Sequence, residues 1–107
     1  MIHKEGVKMA SDINDVTVNY EEDGVLKVKE LDKEILTKGA WATIVFKYKN
    51  YDWKKEDYGD TKYIIRRYRK VDGEYKPQSK FNISNSKQAK QVIDVLQKWV
   101  GEEDISE

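Results

Sequence analysis

The sequence predicts an α+β domain in which a run of antiparallel β-strands is followed by one C-terminal helix. Apolar and polar residues alternate in several stretches between residues 16 and 84, as expected of strands that turn one face to a core. The Asp-Gly pairs at Asp23 and Asp72 are typical of hairpin turns between such strands. After Ser84 the apolar residues recur at helical spacing. The 107 residues are enough for one domain and too few for two independent cores.

The first predicted element is a hairpin centred on the Asp23 turn. Its first strand carries alternating apolar residues, which are Val16, Val18 and Tyr20. Extended chain resumes at Val25, and the stretch from Leu31 to Thr37 fits either a bent strand or a short helix. The N-terminal third is therefore predicted to be a hairpin followed by one ambiguous segment.

The strongest strand candidate is WATIVFKYKNYDW, residues 41–53, which has one apolar face and one that changes from apolar to cationic. We expect the apolar face, at even-numbered positions, to pack against the helix. These positions include Ile44, Phe46 and Tyr48. A strand from Thr61 to Val71 follows, and the returning strand, residues 74–84, contains Pro77. Because proline cannot donate a ladder hydrogen bond, Pro77 predicts either an edge strand or a bulge.

The C-terminal helix has a predicted start, stripe and end. Ser84 or Asn85 can cap it, and Asn85 with Gln88 three residues later resembles a capping box. One apolar stripe follows at helical spacing, formed by Ala89, Val92, Ile93, Leu96, Trp99 and Val100. Gly101 is predicted to end the helix.

The domain is expected to span residues 15–101, between a loose N-terminus at 1–14 and a frayed acidic tail at 102–107. Hydrophobic residues make up 38% of the chain and charged residues 37%, so the core is thin and an oligomer is favoured. The chain has no cysteine, which excludes disulfides, thiolate nucleophiles and cysteine-bound zinc. No stretch approaches the roughly 20 apolar residues of a membrane span, and we expect a cytoplasmic protein without membrane contact.

The zero net charge of the chain conceals a basic middle between two acidic ends. Residues 1–37 carry five lysines and nine acids, and residues 81–107 carry three lysines and five acids. Residues 38–80, in contrast, carry twelve Lys or Arg and six acids, a net charge of +6. Such a distribution points to a polyanionic partner, although a solvated basic strand face would give the same pattern.

Catalysis has little support in the sequence. The single histidine, His3, falls in the loose N-terminus. The carboxylates of residues 21–23 occupy a turn, and those of residues 56–60 do not have the spacing of an EF-hand. No phosphate loop, dinucleotide fingerprint or nucleophile elbow is present. We therefore expect a protein that is not an enzyme and needs no cofactor or metal.

Cationic and aromatic residues alternate on the basic strands, which is the combination that holds single-stranded nucleic acid. The candidate binding residues are Trp41, Lys47, Lys49, Arg66, Arg67, Tyr68, Arg69, Lys76 and Lys80. The cations would neutralise phosphates, while Trp41 and Tyr68 would stack on bases. Since neighbouring strand residues point to opposite faces, Arg66 and Arg67 cannot both line one flat surface, and we assign the phosphate contact to Arg66. Cross-strand pairing of the arginines with acids is the structural alternative.

The stretch IIRRYRKVDGEYKPQSKFNIS, residues 64–84, carries a series of short motifs in a fixed order. These are Ile65-Arg66-Arg67-Tyr68, Asp72-Gly73-Glu74, Lys76-Pro77, Lys80 and Ile83-Ser84, with a helix from about Ser86. In these motifs the chain resembles the C-terminal single-stranded-DNA-binding domain of the transcriptional coactivator positive cofactor four and its bacterial relatives. The similarity runs from roughly Lys27 to Gly101 and keeps the order of elements throughout.

The resemblance implies a curved four-stranded antiparallel sheet followed by one helix, here with an extra N-terminal hairpin, in a homodimer whose strand surfaces form channels for single-stranded DNA. It implies that Arg66 matches the DNA-contacting arginine of the family and that Lys80 matches its lysine ahead of the helix. Lys47 and Lys49 fall near the basic positions of its second strand.

The chain also departs from the family pattern at three places. Arg69 stands where the family often has a tryptophan, which replaces a stacking contact by a cation. Phe81 is an extra residue between Lys80 and Asn82, and the loop from Lys54 to Asp60 is longer. These departures affect base stacking more than phosphate binding.

Together these observations predict non-enzymatic binding of single-stranded DNA by a homodimer, in transcription regulation or DNA maintenance. Two alternatives remain open at this point. The basic face could receive an acidic segment of a protein partner, or the nucleic acid could be RNA, because stacking and phosphate contacts alone do not distinguish it from DNA.

Overall fold

The computed structural model describes residues 10–101 and residue 103, and it has the predicted α+β class. Six strands form one curled antiparallel sheet: β1 (Tyr20–Glu22), β2 (Val25–Thr37), β3 (Trp41–Asp52), β4 (Asp57–Tyr58), β5 (Lys62–Val71) and β6 (Glu74–Ile83). Their order is β1-β2-β3-β5-β6, with β4 paired to β3. A 3-10 turn, Ile13–Asp15, precedes the sheet, and helix α1 (Ser86–Val100) follows it. Within the described residues no helix is long and apolar enough to cross a membrane.

The sheet has six strands where the resemblance implied four, because β1 of the N-terminal hairpin and the short strand β4 join it. β1 pairs with the beginning of β2, so the hairpin continues the main sheet at its edge. The ambiguous stretch from Leu31 to Thr37 is part of β2 and is extended. Register shifts at Leu31 and Leu36 mark bulges, and a bulge is how a strand bends without losing its pairing.

Both Asp-Gly turns have the geometry that the hairpin prediction requires. Asp23 and Gly24 have φ angles of 53° and 77°, and Asp72 and Gly73 have φ angles of 52° and 79°. Two successive positive φ angles define the turn whose twist matches that of the flanking strands, and aspartate followed by glycine adopts them at low cost. These turns therefore fix the β1–β2 and β5–β6 hairpins.

Pro77 lies both in an edge strand and at a bulge, the two positions that the sequence predicted as alternatives. β6 is the last strand of the sheet, so Pro77 lies in an edge strand. Its partner on β5 is Tyr68, directly after a register shift between Arg67 and Tyr68. The missing N–H therefore falls at a bulge in an edge strand, where no ladder hydrogen bond is lost.

Helix α1 begins as the sequence predicts, with Asn85 as its N-cap. The Asn85 side chain accepts a hydrogen bond from the Gln88 backbone N–H at 2.8 Å. The Gln88 side chain in turn accepts from the backbone N–H of Ser84, also at 2.8 Å, one residue before the position of a standard capping box. The reciprocal bonds fix the turn between β6 and α1.

The hydrophobic core lies on one face of the sheet, formed by the even-numbered residues of β3 and β5, which we call the covered face. Ala42, Ile44 and Phe46 are fully buried there. The segment of residues 10–19, which we call the strap, crosses this face and buries its own apolar residues against it. Those residues are Ile13, Val16 and Val18. The prediction that this face packs against the helix is therefore wrong, since the strap occupies it.

The strap is fastened to the sheet at its first residue and at its middle. The Tyr75 N–H donates to the Ala10 oxygen at 2.8 Å. Lys33 Nζ donates to the backbone oxygens of Asn14 and Val16, each at 2.6 Å. Residues 10–14, which the sequence analysis placed in a loose segment, are thus packed on the sheet. Residues 1–9 with His3, and residues 102 and 104–107 of the acidic tail, lie outside the described residues.

The apolar stripe of α1 is left without a partner in the described chain. None of the helix residues is buried, and Ile93, Leu96 and Trp99 are 57%, 51% and 63% exposed. The predicted stripe exists, but it does not face the sheet, because the covered face is already filled by the strap. A helix of this length gains most of its stability from packing its apolar side, and the described residues supply no such packing for this one.

Candidate nucleic-acid interface

The structure divides the predicted binding residues between the two faces of the sheet. Arg66 and Tyr68 lie on the covered face with the core residues of β3, and Lys80 lies opposite Arg66 on β6. The other six lie on the opposite face, which we call the open face: Trp41, Lys47, Lys49, Arg67, Arg69 and Lys76. Strand alternation alone causes this division. The nine residues therefore do not form one surface.

A groove of about 370 Å³ lies on the covered face beside the strap. Strap residues 16–19 form one wall together with Tyr20, and residues 75–82 of β6 contribute the other. Ile64, Arg66 and Tyr68 of β5 form the floor with Tyr48 of β3. The groove exists because the strap covers only part of the sheet face and leaves its β5–β6 side open.

The charged side chains that line the groove among the described residues are both cations, Arg66 and Lys80. Glu30 lies outside this lining but close enough to the Tyr68 hydroxyl to raise its pKa. The two cations are directly opposite each other on β5 and β6, an arrangement that is destabilising for like charges unless an anion lies between them. Within the described part of the chain neither has an ion pair. An anionic group bound between them would remove this repulsion.

Two buried polar atoms in the groove, Arg66 Nε and the Tyr68 hydroxyl, make no hydrogen bond of good geometry with the described residues, although the Arg66 guanidinium is close enough to the hydroxyl to interact with it. Tyr68 is only 3% exposed. Its burial raises the pKa of the hydroxyl, and the nearby Arg66 guanidinium lowers it only in part, so the hydroxyl is protonated at neutral pH and can donate. Native structures rarely leave buried donors unpaired. An acceptor-rich ligand in the groove would satisfy both.

Aromatic and amide side chains complete the lining. Phe46 is fully buried as predicted, and Tyr48, which was also predicted to be in the core, packs against the core but is half-buried and lines the groove as well. Burial also raises the pKa of the Tyr48 hydroxyl, again with partial opposition from Arg66. Asn50 and Asn82 were missed altogether. Their positions on the Arg66 face could have been found from strand alternation, but the strap residue Asn19 could not.

The open face holds a separate cation–aromatic cluster. The Arg67 and Arg69 guanidinium carbons lie 4.7 Å and 5.6 Å from the centre of the Trp41 ring, within the range of cation–π attraction. Trp41 is 43% exposed, so part of its surface is still accessible. No ion pair joins an arginine to an acid in the described residues, so the structural alternative of cross-strand pairing is not realised there. Lys47 lies further along the same face, opposite Asp32 and Tyr63.

Comparison of the chain with protein-family models, with curated proteins and with solved structures found no match. Within the described residues, no group of three or more His, Cys, Asp or Glu side chains could hold a metal ion. The function must therefore be inferred from the groove and from the surfaces around it.

Proposed function

We propose that the protein is a non-enzymatic homodimer that binds single-stranded DNA, with the groove on the covered face as its binding site. One observation carries the proposal: two unpartnered buried donors, Arg66 Nε and the Tyr68 hydroxyl, share an acid-free groove with Lys80. A phosphate is the common biological group that combines negative charge with several acceptor oxygens. The resemblance to the coactivator family, which is strongest around Arg66 and Lys80, supports the same site.

The groove can hold both parts of a nucleotide. A phosphate between Arg66 and Lys80 would accept charge-assisted hydrogen bonds from both, while a base could stack on the accessible part of the half-buried Tyr48 ring at roughly 1–3 kcal/mol per base. The volume of about 370 Å³ lies at the low end of the range for sites that take one small ligand. A groove of this volume is too small for a duplex, which favours an unpaired strand.

The cations of the open face have a secondary role in this proposal. Arg67 and Arg69 lie on the other side of the sheet from the groove and are held against Trp41. They can raise the local positive potential and steer a strand towards the protein. They cannot contact a phosphate that is bound beside Arg66.

The homodimer is supported by the exposed stripe of α1. A contiguous apolar surface on a soluble monomer is uncommon and marks an interaction site, and a twofold interface needs only one self-complementary patch. Ile93, Leu96 and Trp99 supply such a patch. Burial of the stripe against a second copy would give α1 the packing that it lacks within one protomer. The resemblance favours a second copy of the chain as the occupant and transcription regulation or DNA maintenance as the process.

We expect oligo-dT to bind more tightly than a duplex of equal length, with an affinity that falls as salt is raised. For single strands the slope of log K against log salt is about −0.7 per neutralised phosphate, so one phosphate held between Arg66 and Lys80 predicts a contribution of about −0.7 to the slope. Titration of both labelled DNAs at several salt concentrations measures this. Equal affinities, or an oligo-dT affinity that does not change with salt, would contradict the proposal.

The same titration distinguishes the alternatives that the sequence left open. Oligo-U of equal length tests for RNA, and a polyglutamate competitor tests for an acidic protein partner. Displacement of oligo-dT by polyglutamate at matched charge concentration would favour the protein-interaction role. A lack of displacement, together with quenching of tryptophan or tyrosine fluorescence by oligo-dT, would support base stacking.

A further inference from the structure

The groove is closed at one end and open at the other. At the closed end the Ala10 oxygen is bonded to the Tyr75 N–H, so the strap meets the edge strand β6 and blocks passage. Tyr68 lies near this end, paired with Pro77, which is two residues along β6 from Tyr75. At the other end the groove is lined by Asn50 and Asn82, which are both exposed. A polymer can therefore enter past the asparagines but cannot continue beyond the strap.

The chemistry near the closed end is that of a donor cluster. Arg66 Nε and the Tyr68 hydroxyl are buried and unpartnered, and both can donate. Lys80, across from Arg66, adds an ammonium group. An internal phosphodiester offers one negative charge, and the nucleic-acid chain must continue on both sides of it. A terminal phosphate monoester carries up to two charges and three free oxygens, and its chain leaves in one direction only.

We propose that the groove receives the phosphorylated end of a single strand, with the terminal phosphate held by Arg66, Tyr68 and Lys80. The inference rests on the proposed function and deepens it, since it names the part of the strand that occupies the site. It distinguishes this protein from a module that binds anywhere along a strand. The remaining nucleotides would leave the groove between Asn50 and Asn82.

The test compares four oligo-dT ligands of the same length: 5′-phosphorylated, 3′-phosphorylated, hydroxyl at both ends, and covalently circular. We expect one of the phosphorylated forms to bind about tenfold more tightly than the hydroxyl form. This is the ratio expected when the terminal phosphate gains a charge-assisted hydrogen bond that a hydroxyl end cannot make. The circular form should bind most weakly. If all four bind within a factor of two, the end preference is overturned and strand binding stands. If none binds, the proposed function fails and this inference fails with it.

The substitution Tyr68→Phe tests whether the preference for a phosphorylated end arises at the closed end of the groove. It removes a hydroxyl that has no partner in the described chain, a change that is neutral or stabilising for a buried group. We expect the ratio of affinities for phosphorylated and hydroxyl ends to fall from about ten to about two. Tyr51→Phe is the matched control, because Tyr51 is half-buried and lies outside the groove, and it should leave the ratio unchanged. An unchanged ratio in Tyr68→Phe would overturn the assignment.

Discussion

Replacing Arg66 by alanine is expected to lower the affinity for single-stranded DNA about 30-fold, because charge-assisted hydrogen bonds to one phosphate contribute roughly 2 kcal/mol. The matched control is Arg67→Ala, the same substitution at the next residue of β5, for which we expect a loss of less than threefold. The two side chains leave the strand on opposite faces, and only Arg66 lines the groove. The pair of variants therefore asks which face of the sheet binds the strand.

The measurement is a titration of oligo-dT with both variants at several salt concentrations. Arg66→Ala should reduce the steepness of the salt dependence, by at most the value of about 0.7 for one phosphate contact on a single strand, while Arg67→Ala should leave it unchanged. Neither arginine has an ion pair within the described residues, so neither substitution leaves a buried acid without its partner. Thermal unfolding serves as the check on folding. A greater loss for Arg67→Ala would place the strand on the open face, beside Trp41.

The elements of this fold could be predicted from local sequence because each has a local cause. Alternation predicted β3, the Asp-Gly pairs predicted two hairpins, and Asn85 with Gln88 predicted the start of α1. The separation of Arg66 from Arg67 also followed from strand geometry alone. These features depend on residues that are close together in the chain, and so they are visible without knowledge of the tertiary contacts.

The partner of each apolar face could not be predicted in the same way. Alternation shows that Phe46 is buried, but it does not show whether a helix or an irregular segment covers it. The strap does so through Ile13 and through contacts with distant residues such as Lys33. An aperiodic segment gives no signal of this in the sequence. The helix was the only element left with a long apolar stripe, and it was therefore assigned to the wrong face.

The groove could not be predicted from the sequence for the same reason. Arg66 and Lys80 were predicted as binding residues, but the wall that turns them into a site is the strap, whose path depends on tertiary contacts. Tyr48 was assigned to the core because aromatic residues on apolar strand faces are usually buried. It packs against the core but also lies where the strap leaves the sheet uncovered. The basic middle of the chain predicts a polyanionic partner, but its charges are divided between two faces, so net charge alone does not locate the candidate site.

Replacing Leu96 by aspartate is expected to convert the proposed dimer into a monomer. Leu96 lies in the middle of the exposed stripe of α1, and burial of an unpaired carboxylate in place of a leucine costs several kcal/mol. Twofold symmetry applies the change twice, so an association constant should fall by at least about 10⁴-fold, using 1.4 kcal/mol for each factor of ten. Sedimentation or light scattering should show the particle mass falling from two copies to one copy of 12.6 kDa.

The control for this variant is Gln91→Asp, which adds the same charge to an exposed position of the same helix, away from the stripe, and should leave the dimer intact. A wild-type protein of one-copy mass would refute the dimer, and a dimer that survives Leu96→Asp would place the interface elsewhere. The monomeric variant also separates assembly from binding. Arg66, Tyr68 and Lys80 come from one protomer, so its affinity for an oligonucleotide that fills one groove should stay within threefold of wild type. Affinity for two such oligonucleotides linked so that both phosphorylated ends are free to reach a groove should fall much further, because the second contact no longer benefits from effective concentration.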